Sequence, residues 1–310
     1  MLNKANLTIA KKKMTLNHII NVSLLGRLFP FWLRIARWIP SDRLYLKIFY
    51  RLAMGEALNL KNPKTYNQKI QWLKLYNTNP LYSKMVDKFQ VRDIITEKLG
   101  SEYLIPLLDI WSCFEEIDFS KLPAQFVLKT THDSGNVIVC KDKETFDFAK
   151  ARKRLTKSLK TNYFYKSREY PYKYAVPRII AEEYMYDVTQ EELTDYKFFC
   201  FNGKPELLQI TSSKGIKKYV NYYDIEFNPL DLATGSHTPN KELIKPANYS
   251  DMLKIAELLS KDIIHVRIDL YSINNRVYFG EYTFHNSGGI VNFSPPEWNE
   301  RLGDMIELPI

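Results

Sequence analysis

The sequence predicts an α+β protein, and three observations carry that expectation. Up to about residue 100 apolar residues recur at helical spacing, as in Tyr45–Leu52 and in Ile70, Leu73 and Leu75. After Pro123 the pattern changes to short β-rich runs, Gln125–Lys129 and Val137–Cys140. Helical stretches then return between strands, around Phe146–Leu159 and Ser250–Leu259, so the two kinds of element are interspersed. The 310 residues are 45% hydrophobic and 25% charged, which supplies a core and excludes wholesale disorder.

Residues 1–50 form a basic leader. They carry nine Lys or Arg against one acid, Asp42, so +8 of the total charge of +9 sits there. The rest of the chain is close to neutral, which argues against a nucleic-acid-binding surface. In the leader Phe31, Trp32, Ile35 and Trp38 interleave with Arg34 and Arg37. That mixture suits peripheral contact with an anionic membrane face, and equally a helix packed on the protein with its arginines solvated. Arginines interrupt the longest apolar stretch and no small-x-small site follows it, so neither a membrane span nor a secretory signal is expected. Cys113, Cys140 and Cys200 are too scattered for a disulfide framework or a zinc site and suggest a reducing compartment. The expected address is the cytoplasm, at or near the inner face of the cell membrane.

Residues 51–122 read as mainly helical. Asn62-Pro63 marks a boundary, and Thr65 can cap the helix that follows. Pro80 opens a segment that runs to Gly100, on which Asp87, Lys88 and Arg92 read as a solvated charged face. Beyond Pro177 the strands Arg178–Tyr184, Tyr196–Phe201 and Glu206–Ile210 are expected, the last two joined by Asn202-Gly203. Residues 214–248 read as irregular. Val266–Ser272 and Arg276–Phe284 close the chain as a hairpin.

That hairpin is the most informative segment. Alternation puts Arg267 and Asp269 on one face of their strand, and Glu281 and Thr283 on one face of the partner. A three-residue loop, Asn274-Asn275-Arg276, sets Asp269 opposite Glu281 and Arg267 opposite Thr283. A two-residue loop sets Asp269 against Gly280 and ruins the cluster, unless a bulge restores the parity. Converging carboxylates repel unless a cation lies between them, and hard oxygen ligands suit Mg²⁺. Arg267 can then hold a phosphate oxygen, or simply pair with one of the carboxylates.

Two further segments bear on chemistry. Lys129 ends a strand beside the loop Thr130–Asn136, where Ser134 and Gly135 offer backbone amides. The arrangement suits a polyphosphate, and also an ordinary hairpin with Gly135 at positive φ. No Gly-x-x-x-x-Gly-Lys occurs. Ile179–Met185 is an apolar strand ending in Glu182 and Glu183, either a solvated strand end or an edge presented to adenine.

In chain order these segments resemble an ATP-grasp ligase, and more narrowly the TupA-like ATP-grasp family linked to teichuronopeptide and surface-polysaccharide synthesis. The resemblance covers roughly residues 45–305. It rests on Asn62-Pro63-Lys64-Thr65-Tyr66-Asn67-Gln68-Lys69 with Trp72-Leu73, on Val86-Asp87-Lys88, and on Phe126–Lys129 with His132-Asp133-Ser134-Gly135. It also rests on Glu182-Glu183-Tyr184, on Asp195–Pro205 and on Val266–Tyr271. It implies two α+β subdomains clasping a nucleotide, a small one over 123–185 and a large one with the metal site over 186–310, after a mainly helical N-terminal region. ATP and Mg²⁺ are the implied cofactors. Lys88 and Lys129 would contact phosphates, with Ser134 and Gly135 closing over them. Glu182 would meet the adenine amine, with main-chain groups of Glu183 and Met185 at the purine edge, and Asp195 would take the ribose. Asp269 and Glu281 would ligate Mg²⁺. Arg267 would steady the phosphoryl group and acyl intermediate, and Lys197 would face phosphates or acceptor. Thr283 stands where the Asn of Glu-x-Asn is usual.

The activity so implied is ATP-dependent ligation of a glycan or uronic acid carboxylate to an amino acid through an acyl phosphate, in capsule, O-antigen or teichuronopeptide synthesis. A glycosyltransferase or glycan phosphotransferase of the same pathway, or a glycan-binding protein with a decayed nucleotide site, are the competing functions. The lack of any Asp-x-Asp weighs against the first of these.

Overall fold

A computed structural model describes residues 38–188, 193–214, 217–235, 239 and 243–309. The leader as far as residue 37 lies outside the described residues. Its end, Asp42–Met54, is a helix whose Ser41 side chain accepts from the Leu44 amide, and it buries Tyr45, Leu46, Phe49 and Tyr50. This part of the basic segment therefore packs on the protein. Among the described residues no helix is long and apolar enough to cross a membrane. All three cysteines are free thiols.

The next helix, Tyr66–Tyr76, starts where expected, with Thr65 accepting from the Gln68 amide. The single helical segment expected from Pro80 to Gly100 is instead two helices, Leu81–Val86 and Val91–Lys98. Asp87 is the cause. Its carboxylate accepts from the amides of Phe89 and Gln90, turning the chain before the second helix. Asp87 is fully buried and pairs with Arg178 at 3.3 Å, so it does not belong to a solvated face.

Eleven strands follow among the described residues. β1 (Leu107–Trp111), β2 (Phe126–Thr130), β3 (Val137–Cys140) and β4 (Ile179–Glu183) form an antiparallel sheet in the order β1-β4-β2-β3. The small sheet therefore begins before Pro123, inside the stretch read as mainly helical. Helix Phe148–Leu159 covers it with Ala151 and Leu155, which meet Phe126, Leu128, Ile179 and Ala181.

The larger sheet runs β10-β9-β5-β6-β7, with β5 at Asp195–Phe201, β6 at Lys204–Lys214, β7 at Lys217–Tyr223, β9 at His265–Ile273 and β10 at Arg276–Thr283. β7 falls in a stretch read as irregular. Its burial begins at Asn221, so its outer half gives no apolar alternation, and pairing with β6 holds it in the sheet. Both faces of the larger sheet are covered, which explains the continuous apolar run in β5. Phe198 and Cys200 pack with Met252 and Leu259 of helix Tyr249–Ser260. Phe199 and Phe201 pack on the other side with Tyr45, Tyr66 and Ile70. Two short strands, β8 (Ala233–Thr234) and β11 (Phe293–Ser294), pair separately.

Helix Tyr66–Tyr76 is tied to the C-terminal segment through its polar residues. Asn67 donates to the Val291 carbonyl, and Gln71 to those of Gly288 and Gly289. Lys74 is buried, with its ammonium on Gln71 Oε1, Ser167 O and Gly288 O at 3.1, 2.9 and 2.7 Å. Burial lowers its pKa to about 8, against the opposing pull of Glu169. The folded chain thus holds this proton less tightly than the unfolded chain does. The stability contributed at this site is accordingly expected to rise with pH between about 8 and the ordinary lysine value of 10.5. Denaturant unfolding of the wild type and Lys74→Met across that window checks this, with the wild type gaining on the variant as pH increases.

Candidate functional site

The C-terminal hairpin reaches the expected pairing by a different route. Its turn is Asn274-Asn275 alone, both left-handed at φ 49° and 61°, with Ile273 opposite Arg276. A two-residue turn would misalign the acids, but a bulge at Gly280 shifts the register between Phe279 and Glu281. Glu281 then lies opposite Asp269 and Thr283 opposite Arg267. The bulge needs glycine because a Cβ at position 280 would stand 2.9 Å from the Asp269 carbonyl oxygen.

On β9 Asp269 has Lys197 of β5 as one neighbour and Glu281 of β10 as the other. Arg267 ties the group together. Its Nε and Nη2 donate to the two oxygens of Asp269 at 2.6 Å each, and Nη2 also reaches Glu281 Oε1 at 3.3 Å and Thr283 Oγ1 at 3.1 Å. Lys197 Nζ stands 2.9 Å from Asp269 Oδ2 and 3.3 Å from Asp195. Burial pushes the Asp269 carboxyl upward, but Arg267 and Lys197 outweigh it and hold the group below the usual aspartate range. The reading of Arg267 as an internal ion-pair partner is thus the arrangement seen.

Asn286 completes the cluster, accepting from Arg267 Nη1 at 2.6 Å. Strand spacing does not reveal it. A short helical turn at Asn286–Gly289, with Ser287 and Gly288 left-handed, brings it back to the end of β10. Among the described residues no group of three or more His, Cys, Asp or Glu forms a metal cage. Asp269 and Glu281 nevertheless offer hard carboxylate oxygens of the kind that would hold Mg²⁺ if their Arg267 contacts gave way.

The small sheet supplies the facing wall. Glu182 is buried, with Lys129 at 2.5 Å and Arg92 at 3.4 Å. It is therefore a partner for cations. Arg92 also donates to the Ile105 carbonyl at 3.0 Å, a bridging role that the linear pattern did not reveal. Lys88 is aimed inward by the break at Asp87. Its Nζ bonds the Asp133 carbonyl, and burial lowers its pKa although Glu281 and Asp133 oppose the shift. The Thr130–Asn136 loop is a hairpin turn with Gly135 at φ 91°, and it is held from within. The buried Asp133 carboxylate accepts from Thr130 Oγ1 at 2.5 Å and also from Asn136 and Ser158. The importance of Asp133 has no sequence signal beyond its place in a polar loop.

Between the walls lies a cavity of about 610 Å³. Lys88, Lys129, Lys197, Asp195, Asp269 and Glu281 line it, together with Ser134, Gly135, Glu182, Glu183 and Met185. Arg267 lies behind, on a second cavity of about 400 Å³ that shares Ser134 and Glu281 with the first. The Glu183 amide is already committed to the Pro106 carbonyl at 3.0 Å. One space thus gathers cations from three separate segments of chain opposite paired acids, an arrangement suited to a polyphosphate.

The TupA-like ATPgrasp family matches residues 68–307. The chain belongs to that family. Among solved structures it is similar to D-alanine–D-alanine ligase from Bacillus anthracis, with 16% identity and a TM-score of 0.40, covering 68% of this chain and 62% of that one. The same ligase complexed with ATP gives 15% identity and a TM-score of 0.37, over 73% and 60%. A RimK domain ATP-grasp protein from Sphaerobacter thermophilus gives 8% and 0.39, over 73% and 69%. The chain spans less than two thirds of the Bacillus anthracis ligase. No curated protein matches it.

Because the bulge sets the acid pair, Gly280→Ala is expected to cost about 1–3 kcal/mol through the clash with the Asp269 carbonyl. A lowered urea midpoint with an unchanged slope checks this.

Proposed function

We infer that the protein is an ATP-dependent carboxylate–amine ligase of surface-polysaccharide synthesis. The observation that carries this reading is the single cavity in which Lys88, Lys129 and Lys197 face Asp269 and Glu281. A carboxylate oxygen of the substrate attacks the γ-phosphorus, and the bond to the β-phosphate oxygen breaks with release of ADP. An amine nitrogen then attacks the acyl carbon, phosphate leaves with the electron pair, and the nitrogen gives up one proton as the amide forms. Family likeness supports a uronic acid as the source of the carboxylate and an amino acid as the amine.

Lys88 and Lys129 bind the phosphates, and the Ser134-Gly135 turn closes over them and excludes water. Release of Lys129 from Glu182 frees the carboxylate for the adenine amine, with Met185 beside the purine and Asp195 at the ribose. Arg267 orients the phosphoryl group, and Lys197 holds the acyl oxygen side of the site. Mg²⁺, when held by Asp269 and Glu281, neutralises phosphate charge. The basic leader keeps the protein at the anionic inner face of the membrane, where lipid-linked glycans are assembled.

ATP with Mg²⁺ is expected to raise the melting temperature, by the equivalent of about 2.7 kcal/mol at about a hundredfold its dissociation constant. Glu281→Ala and Lys129→Met are each expected to reduce that shift. In cells, mass spectrometry of the surface glycan should show the loss of an amide-linked amino acid in the Glu281→Ala strain. An unchanged glycan overturns the polysaccharide assignment, and an absent melting shift overturns the nucleotide site.

A further inference from the structure

The second cavity holds a carboxylate that the nucleotide site does not use. Glu169 is buried in its wall, 6% exposed. Its Oε1 accepts from Ser167 Oγ at 2.5 Å. Its Oε2 lies 3.7 Å from His285 Nδ1, beyond hydrogen-bond reach, and that buried nitrogen has no hydrogen-bond partner among the described residues. Lys74 stands behind Glu169, but its ammonium is bonded to Gln71, Ser167 and Gly288 instead. Burial pushes the Glu169 carboxyl upward, yet His285, Lys74 and Ser167 together hold it below the ordinary range. A carboxylate oxygen on a cavity wall that lacks a close donor from the protein leaves an acceptor for a donor from the cavity.

The rest of the wall favours a cation over an anion. The rings of Tyr163 and Tyr172 lie 4.7 Å apart on the same cavity. Burial raises both phenols, with the charges of Glu169 and Glu281 adding to the effect, so they stay neutral and keep electron-rich faces. The Tyr163 ring already has the ammonium of Lys166 at 5.0 Å from its centroid. Arg267, the other cation of the wall, is bound to Asp269 and Asn286. An anion entering here would meet Glu169 and Glu281, and a neutral hydroxyl would give Glu169 Oε2 a weaker bond than a charged donor does. Exposed Lys166 remains at the rim for a carboxylate at the opposite end of the ligand.

We propose that the second cavity binds a free amino acid, with Glu169 Oε2 accepting from its ammonium group beside the rings of Tyr163 and Tyr172, and Lys166 at its carboxylate. Calling this ligand the amine substrate rests on the ligase reading; its binding does not. Because Ser134 and Glu281 border both cavities, an amine held there stands next to the phosphoryl end of the nucleotide site.

Saturation-transfer NMR on the full chain, with and without ATP and Mg²⁺, tests the proposal against a panel of common L-amino acids and D-alanine. Each is paired with its N-acetyl derivative, which lacks the ammonium. At least one free amino acid is expected to bind about tenfold or more tightly than its N-acetyl partner. Glu169→Gln is expected to weaken that binding about tenfold or more, while the melting shift given by ATP is retained. Should Glu169→Gln fail to fold, Tyr163→Leu decides, since it leaves the carboxylate in place and removes one ring; a loss of about threefold or more is expected. The proposal is overturned if no panel member binds, if N-acetyl derivatives bind equally, or if the folded variants bind as the wild type does. Amino acid binding without any ATP-induced shift overturns the ligase reading and leaves the ammonium site standing.

Discussion

Arg267 neutralises a pair of acids that otherwise repel inside the protein. Its guanidinium takes both oxygens of Asp269, one of Glu281, the Thr283 hydroxyl and the Asn286 amide oxygen, so it joins two strands and the turn beyond them. The pull of the two acids on Arg267 exceeds the cost of burial and raises its pKa, so the cation persists at any pH the fold survives. Removing one partner of such a group leaves an uncompensated buried charge, which is far more damaging than loss of a surface pair. The surrounding packing serves this arrangement. Phe199 lies beneath the guanidinium, 6.0 Å from ring centroid to carbon, and β5 places Lys197 on the other side of Asp269.

Ion pairing organises the opposite wall in the same way. Lys129 and Arg92 converge on Glu182, and Lys88 rests on the Asp133 carbonyl. The cations are thus held at short range by acids and carbonyls. They are positioned before any ligand arrives, at the expense of contacts that a ligand has to replace. The helices at the N-terminus belong to the same design. The break at Asp87 aims Lys88, and the polar side of helix Tyr66–Tyr76 fixes the turn that carries Asn286.

Much of this was legible in the sequence because it follows from period and parity. Alternation alone puts Arg267 with Asp269 and Glu281 with Thr283, and the turn at Asn202-Gly203 and the cap at Thr65 follow from local chemistry. What was not legible depends on contacts distant in sequence. Arg92 and Glu182 are 90 residues apart, and nothing near either one announces the other. Asp87 reads as solvated until Arg178 is brought beside it. β7 carries little apolar alternation because β6, rather than a buried face, holds its outer half. Sequence alone leaves a three-residue turn and a two-residue turn with a bulge equally open in the final hairpin, since parity fixes the sum of loop and bulge and not how it is divided.

That division has an evolutionary consequence. At a fixed chain length, loop length and kink in the final hairpin are two halves of one count, so either can change only if the other changes with it. Smoothing the kink while keeping the Asn274-Asn275 turn would set residue 280 opposite Asp269 and turn Glu281 outward. Deleting residue 280 would instead leave Glu281 directly after Phe279 and still opposite Asp269. Kin of this chain can therefore lack the kink through a single deletion and keep their acids together, whereas a larger side chain at 280 is no such neutral change.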